Sequence, residues 1–256
     1  HSFPTRRSSD LVLVPMAGDD TTPEGEQVNI YGNHVGSWNF AATAYLNRWK
    51  VKIYYEHYFA DHSQMFFQYG RWKDGHIGLE ITFPKNRFID TFVYEGLGTK
   101  DQTGPMLYDS FWGKFEEQIS AKDNYYNHYL YQGWQHWGMG IGNPLLPGPI
   151  YNKNGQITFI SNRVLAHHIG FCGSPCQSLS YRMLLSYSRH WGTYDNPLNE
   201  IKKQFNSLIE VTYAPQQLKG WSFTVSGAMD RGSLLGNNYG GMLVIRKQGI
   251  IKSGNK

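Results

Sequence analysis

Apolar and polar residues alternate along most of this chain, and charged residues keep to one side of the alternation. In residues 49–59, Trp49 and Val51 share one face, whereas Lys50 and Lys52 share the other. A period of two predicts β-strands whose two faces meet different surroundings. The same alternation appears at 77–83, 179–188, 207–213 and 221–230. Less regular strands are predicted at 37–46, 88–98, 157–171 and 239–247.

One face of the regular strands carries no charged side chain. The other face holds Lys50, Lys52, Glu56, Glu80, Arg182, Glu210 and Asp230. A Lys or Arg that faces lipid costs about 2–4 kcal/mol at the middle of a bilayer. The segregation therefore predicts that the apolar face meets lipid and that these charged side chains face the lumen of a transmembrane β-barrel.

Short and long links alternate between the predicted strands. Short links lie at 47–48, 84–87, 173–177 and 214–220, and long ones lie between them at 61–75, 99–156 and 191–204, followed by a shorter one at 232–238. Outer-membrane barrels have short periplasmic turns and longer external loops. The strands of a soluble β-sandwich also alternate apolar and polar residues, but that fold gives no reason for short and long links to alternate. We therefore expect an all-β, antiparallel transmembrane barrel in the outer membrane of a Gram-negative bacterium.

The predicted strands number about nine, whereas single-chain bacterial barrels have an even number. The odd count predicts a partial barrel, a piece of a larger one. Residues 2–11 resemble a translated sequencing adapter, so we treat 1–11 as an artefact and expect the chain to be truncated, without its signal peptide. We expect an irregular lead-in at 12–26, the C-terminal part of a barrel at 27–248 and a polar tail at 249–256.

Composition excludes several classes of protein. The mean hydropathy is −0.50 and no apolar run approaches the ~18 residues of a membrane helix. The net charge of +4 is scattered, without a basic stripe interleaved with aromatic residues, so nucleic acid is not an expected partner. The glycine-rich run 138–142 lacks the spacing of a phosphate loop, and the histidines show no convergent ligand pattern. We therefore expect neither a cofactor nor a metal.

The link 99–156 is the strongest candidate for function, because long structureless segments in compact domains are usually functional. Flat aromatic faces stack on sugar rings, while amides and imidazoles bond hydroxyls. The alternative is a plug whose aromatic side chains pack inside the barrel. We also expect a short helix at 110–121. The glycan-binding candidates are Tyr125, Tyr126, His128, Trp134, Gln135, His136, Trp137 and Asn143.

Two pairs of reactive side chains stand close in sequence. Cys172 and Cys176 lie on a predicted periplasmic turn, where a disulfide and two free thiols are both feasible. Ser188 and His190 are the pair that suggests a membrane-embedded hydrolase. No third group or oxyanion donor can be assigned to them, so we expect a non-enzymatic protein.

Six motifs carry a family resemblance. They are IYGNHVGSWN at 30–39, LEITFPKNR at 79–87, YYNH at 125–128, GWQHWGMGIGNP at 133–144, SRHWGTY at 188–194 and DRGSLLGN at 230–237. With these motifs the chain resembles the capsule-assembly Wzi family of outer-membrane proteins, of the kind found in Bacteroidota. The resemblance spans nearly all of residues 27–248.

This resemblance implies a barrel of roughly twice the strand number, of which the chain is the C-terminal half. It also implies a lectin-like role in capsule assembly or attachment, with surface polysaccharide and outer-membrane lipid as partners. A diffusion porin is the alternative, and it requires that the link 99–156 lie outside the barrel. The hydrolase is a further alternative, and it requires a hydrogen bond between Ser188 and an oriented His190.

Overall fold

The computed structural model describes residues 36–59, 74–86, 88–102, 124–127 and 134–249. The predictions for the artefact, the lead-in, the helix at 110–121 and most of the polar tail lie outside these residues. No helix in the described part of the chain combines the length and the apolar character needed to cross a membrane.

Strands make up the body of the molecule, and each of the predicted strands is present. They are β1 (Gly36–Leu46), β2 (Trp49–Phe59), β3 (Gly75–Thr82), β4 (Thr91–Gly98), β5 (Gln135–His136), β6 (Met139–Gly140), β7 (Val164–Cys176), β8 (Leu179–Gly192), β9 (Pro197–Tyr213), β10 (Trp221–Gly232) and β11 (Asn238–Lys247). β5 and β6 form a small separate hairpin, and a 3-10 turn spans Pro149–Tyr151. The expectation of an all-β antiparallel structure is thus confirmed.

The other strands form one 9-stranded sheet in the order β1-β2-β3-β4-β7-β8-β9-β10-β11. Every neighbouring pair is antiparallel. Each strand lies beside the one that precedes it along the chain, apart from the β5–β6 hairpin within the link from β4 to β7. Because directions alternate across an odd number of strands, the edge strands β1 and β11 run the same way. Direct pairing of these two edges would make a parallel seam.

The register places all the charged residues predicted to face a lumen on one side of the sheet, which we call the polar face. Lys50 Nζ lies 3.7 Å from Glu80 Oε1, and Lys52 Nζ lies over the Tyr54 ring at 5.2 Å from its centroid. Farther across the sheet, between β8 and β9, Arg182 Nη2 lies 3.4 Å from Glu210 Oε2. The Asn206 side-chain amide donates a hydrogen bond to Asp230 Oδ1 at 2.7 Å. Glu56 contacts Ser37 and His76 on the same face.

The opposite side, which we call the apolar face, carries large hydrophobic side chains that are open to solvent. They are Phe40, Ile53, Ile77, Ile169, Ile209, Val225, Leu243 and Ile245. Aromatic side chains gather on this face beside the short turns, where the Trp49 and Phe83 rings lie 5.0 Å apart and those of Trp221 and Phe223 lie 6.3 Å apart. The sheet therefore exposes its apolar side.

The predicted alternation of short and long links is found from β1 to β7 and is wrong for the links that follow β7. The long link predicted at 191–204 is mostly strand, because β8 ends at Gly192 and β9 begins at Pro197. The predicted link 173–177 shrinks to a turn at 177–178, since β7 continues to Cys176. The strand predicted at 157–171 begins only at Val164. The long link between β4 and β7 therefore runs from 99 to 163.

Residues 99–102, 124–127 and 134–163 of this link are described, and the last two of these segments pack against the polar face, so we call them the cap. A cluster of buried hydrophobic residues joins the cap to the sheet. Leu146 and Phe159 belong to the cap, whereas Leu97, Val164 and Ala166 belong to β4 and β7. Since burial of apolar side chains is the main stabilising contribution in folding, this cluster anchors the cap on the sheet.

Candidate functional site

A cavity of about 590 Å³ lies between the polar face and the cap. Its volume falls in the range of about 300–1,000 Å³ that is typical of small-molecule sites. The sheet supplies one wall and the cap supplies another. The lining residues used below are Ser37, Glu56, Tyr58, His76, Glu95, His168 and Ser186 from the sheet, and Tyr126, Trp134 and Asn143 from the cap.

An imidazole lies between two carboxylates in the sheet wall. His76 Nδ1 is 3.8 Å from Glu56 Oε2, and His76 Nε2 is 3.5 Å from Glu95 Oε1. The Ser37 hydroxyl donates to Glu56 Oε1 at 2.5 Å, and the Tyr54 hydroxyl donates to Glu95 Oε1. The four strands β1, β2, β3 and β4 thus bring these groups together on the polar face.

The two neighbouring histidines of β7 point in opposite directions, as expected of consecutive residues in a strand. His168 lies on the polar face opposite Glu95, and its Nδ1 is 2.6 Å from Ser186 Oγ. His167 lies on the apolar face, where its Nδ1 is 2.8 Å from the Tyr94 hydroxyl. Only His168 therefore belongs to the cavity wall.

Three of the glycan-binding candidates from the sequence line the cavity, namely Tyr126, Trp134 and Asn143. The ring of Tyr126 lies 5.1 Å from that of Phe159, which holds it against the buried cluster. Burial raises the pKa of Tyr126, and the nearby Glu56 carboxylate raises it further, so its hydroxyl stays protonated. Asn143 Oδ1 accepts a hydrogen bond from the Leu145 backbone at 3.0 Å, which fixes the turn above the cavity.

The other candidates do not share this position. Tyr125 is only 3% exposed, and its hydroxyl donates to Asp74 Oδ2 at 2.9 Å, so it packs inside rather than presenting a ring to a ligand. Gln135 Oε1 accepts from the Gly138 backbone at 2.7 Å and shapes the β5–β6 turn. His136 is exposed and contacts Trp137 edge-on, at 6.2 Å between ring centroids. His128 lies outside the described residues.

Trp137 stands at the apex of the β5–β6 hairpin and is 82% exposed. Trp137 and Gly138 have φ angles of 52° and 78°, the left-handed pair that a two-residue type I′ turn requires. Such a φ is unusual for a bulky side chain and costs roughly 1–2 kcal/mol. The turn keeps the Trp137 ring exposed to solvent despite this conformational cost. An aromatic ring held in that way is suited to binding a ligand rather than to packing in a core.

A buried amide ties segment 124–127 of the cap to the residues that follow β4 and precede β7. Asn162 is fully buried, and its Nδ2 donates to Asn124 Oδ1 at 2.6 Å and to the Tyr125 carbonyl at 2.8 Å. Its Oδ1 accepts from Gln102 Nε2 at 2.8 Å. The Thr99 hydroxyl donates to the Asn162 backbone carbonyl at 2.7 Å. This single side chain therefore joins three separate segments of the long link.

Ser188 and His190 do make the contact that the hydrolase alternative requires. His190 Nε2 lies 2.9 Å from Ser188 Oγ. However, His190 Nδ1 has no hydrogen-bond partner among the described residues, so none of them orients the ring as a catalytic base requires. Both residues are only 1% exposed, so the pair has no access to a substrate in this arrangement.

Neither a disulfide nor a metal cluster is present in the described part of the chain. Cys172, half-buried on the polar face, and Cys176, exposed beside the turn, are free thiols. Among the described residues, no group of three or more His, Cys, Asp or Glu side chains is arranged to hold a metal ion.

Apart from Glu56, a predicted lumen-facing residue, the sequence analysis missed the polar side chains that the sheet supplies to the cavity wall. Tyr58, His76, Glu95, His168 and Ser186 all lie on the polar face, toward the ends of the strands that the long links join. Tyr58, His76 and Ser186 lie on the same side of their strands as Glu56, Glu80 and Arg182, which was the available signal, whereas the alternation around Glu95 and His168 gave none. Comparison of the chain with protein-family models, with curated proteins and with solved structures finds no match.

Proposed function

We propose that this protein is a β-barrel of a Gram-negative outer membrane that holds surface polysaccharide in a lectin-like, non-enzymatic way. The observation that carries the membrane part is the exposed apolar face of the sheet. Side chains on three different strands, Ile53, Val225 and Leu243, are 54%, 61% and 64% exposed. The polar face, with its ion pairs, lies on the other side.

This arrangement is the reverse of a soluble sheet, which buries its apolar face in a core. Exposed apolar area is unfavourable in water, and soluble monomers rarely carry a large contiguous patch of it. Lipid removes that cost, and the aromatic rows beside the short turns suit a membrane interface. Because the edge strands β1 and β11 run in the same direction, an antiparallel barrel can close only if an odd number of further strands lies between them. This requirement agrees with a barrel of more strands than these nine.

The polysaccharide part rests on the cap and on the family resemblance. Trp137 presents a rigid aromatic face to solvent at the apex of a hairpin. Tyr126 and Trp134 contribute further aromatic surface inside the cavity, beside the Asn143 amide. Aromatic faces with neighbouring amides suit sugar rings, whose C–H faces are apolar and whose rims carry hydroxyls. The motifs shared with the Wzi family point to the same class of ligand.

The packing of the cap on the polar face disfavours the porin alternative. A diffusion channel needs an open lumen, and here the cap occupies the space over the polar side of the sheet. The hydrolase is disfavoured because His190 has no orienting partner among the described residues. A plug and a polysaccharide-binding surface are compatible, since the same cap shapes the opening that a polymer would meet.

Binding and conductance measured on one preparation test the proposal. The refolded protein should bind the surface polysaccharide of its host saturably and should show no single-channel conductance in a planar bilayer. Trp137→Ala should weaken that binding by about tenfold, the loss of roughly 1.4 kcal/mol. Tyr151→Ala, which truncates another exposed aromatic residue of the cap, is the matched control. Conductance without binding would replace the proposal with a porin.

A further inference from the structure

The cavity under the cap has a charge bias that the proposed function does not explain. Glu56 and Glu95 line it, and no Lys or Arg is among the described residues of its wall. A single imidazole, that of His76, lies between the two carboxylates. Even a protonated His76 ring neutralises only one of the two carboxylates, and His168 contacts the Ser186 hydroxyl and forms no ion pair with either carboxylate among the described residues. The wall beside His76 therefore keeps a negative charge for a ligand to neutralise.

Both carboxylates are open to a ligand. The side chains of Glu56 and Glu95 are 29% and 27% exposed, although they lie on the polar face beneath the cap. The contacts of Glu95 with Tyr54 and His76 both use Oε1. Its Oε2 has no hydrogen-bond partner among the described residues, so it remains available as an acceptor. A charge-assisted hydrogen bond from a cation is the interaction that this oxygen suits best.

The remaining wall suits a sugar ring rather than a bare ion. Tyr58, Tyr126 and Trp134 give flat aromatic surface, which attracts both a C–H face and a cation. Asn143 and Ser186 add an amide and a hydroxyl that bond sugar hydroxyls. A volume of about 590 Å³ accommodates one or two sugar units, far more than a single ion needs.

We infer that this cavity binds a sugar unit that carries a free amine, with the ammonium at the carboxylates of Glu56 and Glu95 and the ring against the aromatic wall. The inference rests on the proposed function in one respect, since the unit would belong to the polysaccharide that the protein holds. It adds a property that the proposed function lacks, namely a preference for a cationic sugar.

Calorimetric titration of the refolded protein with glucosamine, N-acetylglucosamine and glucose tests this inference. These probes share a ring and differ in the substituent at one carbon, so the amine is the variable. Glucosamine should bind about tenfold more tightly than the other two, the effect of one charge-assisted hydrogen bond. Equal affinities for the three sugars, or no binding of glucosamine, would overturn the inference.

Two variants and one control locate the site. Glu95→Gln and Glu56→Gln should each reduce the preference for glucosamine, while glucose binding changes little. Glu80→Gln is the matched control, because Glu80 is on the polar face but pairs with Lys50 outside the cavity. An equal loss in all three variants would contradict the assignment. Trp134→Phe gives an independent readout, since glucosamine should change tryptophan fluorescence in the wild type and much less in this variant.

The outcomes separate this inference from the proposed function. Polysaccharide retention that depends on Trp137, together with no preference for glucosamine, would leave the proposed function standing and remove the inference. Amine-dependent binding of glucosamine without retention of the host polysaccharide would remove the proposed function and leave the cavity's preference for an amine standing. Agreement of both measurements would identify the cavity as the site for one unit of the polymer.

Discussion

Replacement of Asn162 by Leu should detach segment 124–127 of the cap from the residues that flank β4 and β7. The side chain makes three hydrogen bonds, to Asn124, Tyr125 and Gln102, at 2.6, 2.8 and 2.8 Å. Each contributes about 1 kcal/mol to stability, or about 3 kcal/mol together. Gln102 is fully buried, and its Oε1 has no partner in the part of the chain that the structure describes, so loss of Asn162 leaves its amide without a hydrogen bond to any described residue. That penalty adds about 1–3 kcal/mol.

We therefore expect a loss of about 4–6 kcal/mol in the free energy of unfolding, measured by guanidinium titration of the refolded protein. Hydrogen exchange should show faster exchange of the amides in 124–127 than in the strands, because this segment loses two of its attachments. Asn154→Leu is the control, since Asn154 is exposed and makes only a local bond to the Gln156 backbone at 3.1 Å. A loss of less than about 1 kcal/mol, equal to that of the control, would refute the reasoning.

Three further predictions follow from other parts of the structure. Ile209→Arg, on the apolar face, should reduce stability in lipid vesicles by about 2–4 kcal/mol, whereas Ile157→Arg on the cap should change it by less than about 0.5 kcal/mol. Gly148→Ala should cost about 2 kcal/mol in the same guanidinium titration, because its Cβ would lie 2.4 Å from the Gly138 carbonyl oxygen. Thiol titration should find two free cysteines, with the exposed Cys176 reacting faster than Cys172.

The strands were predictable because one physical requirement applies along most of their length. Where one side of the sheet is apolar and the other polar, each strand shows a period of two. The later part of β8 and the start of β9 escape this rule. Arg189 pairs with Lys203 on the side that is apolar elsewhere, so the alternation fades and the sequence predicts a loop there. β8 and β9 therefore extend beyond the residues in which apolar and polar side chains alternate.

The position of a site residue was predictable only where it depends on the residue's immediate neighbours in the sequence. Trp137 is presented by a local turn, so a sequence pattern was sufficient to single it out. Tyr125 was assigned the wrong environment because its partner, Asp74, lies 51 residues away in another link. The meeting of His76 with Glu95 depends on the register between β3 and β4, which a single sequence does not specify.

Spin labels on neighbouring residues of β10 test the central claim most directly. After replacement of Cys172 and Cys176 by Ser, Val225→Cys and Thr224→Cys each carry one nitroxide, on the apolar and the polar face respectively. In lipid vesicles, the label at 225 should collide with oxygen dissolved in the bilayer and be shielded from an aqueous nickel chelate. The label at 224 should lack that access to oxygen. Free access of the nickel chelate to the label at 225 would contradict a lipid-facing apolar surface, and with it the membrane barrel.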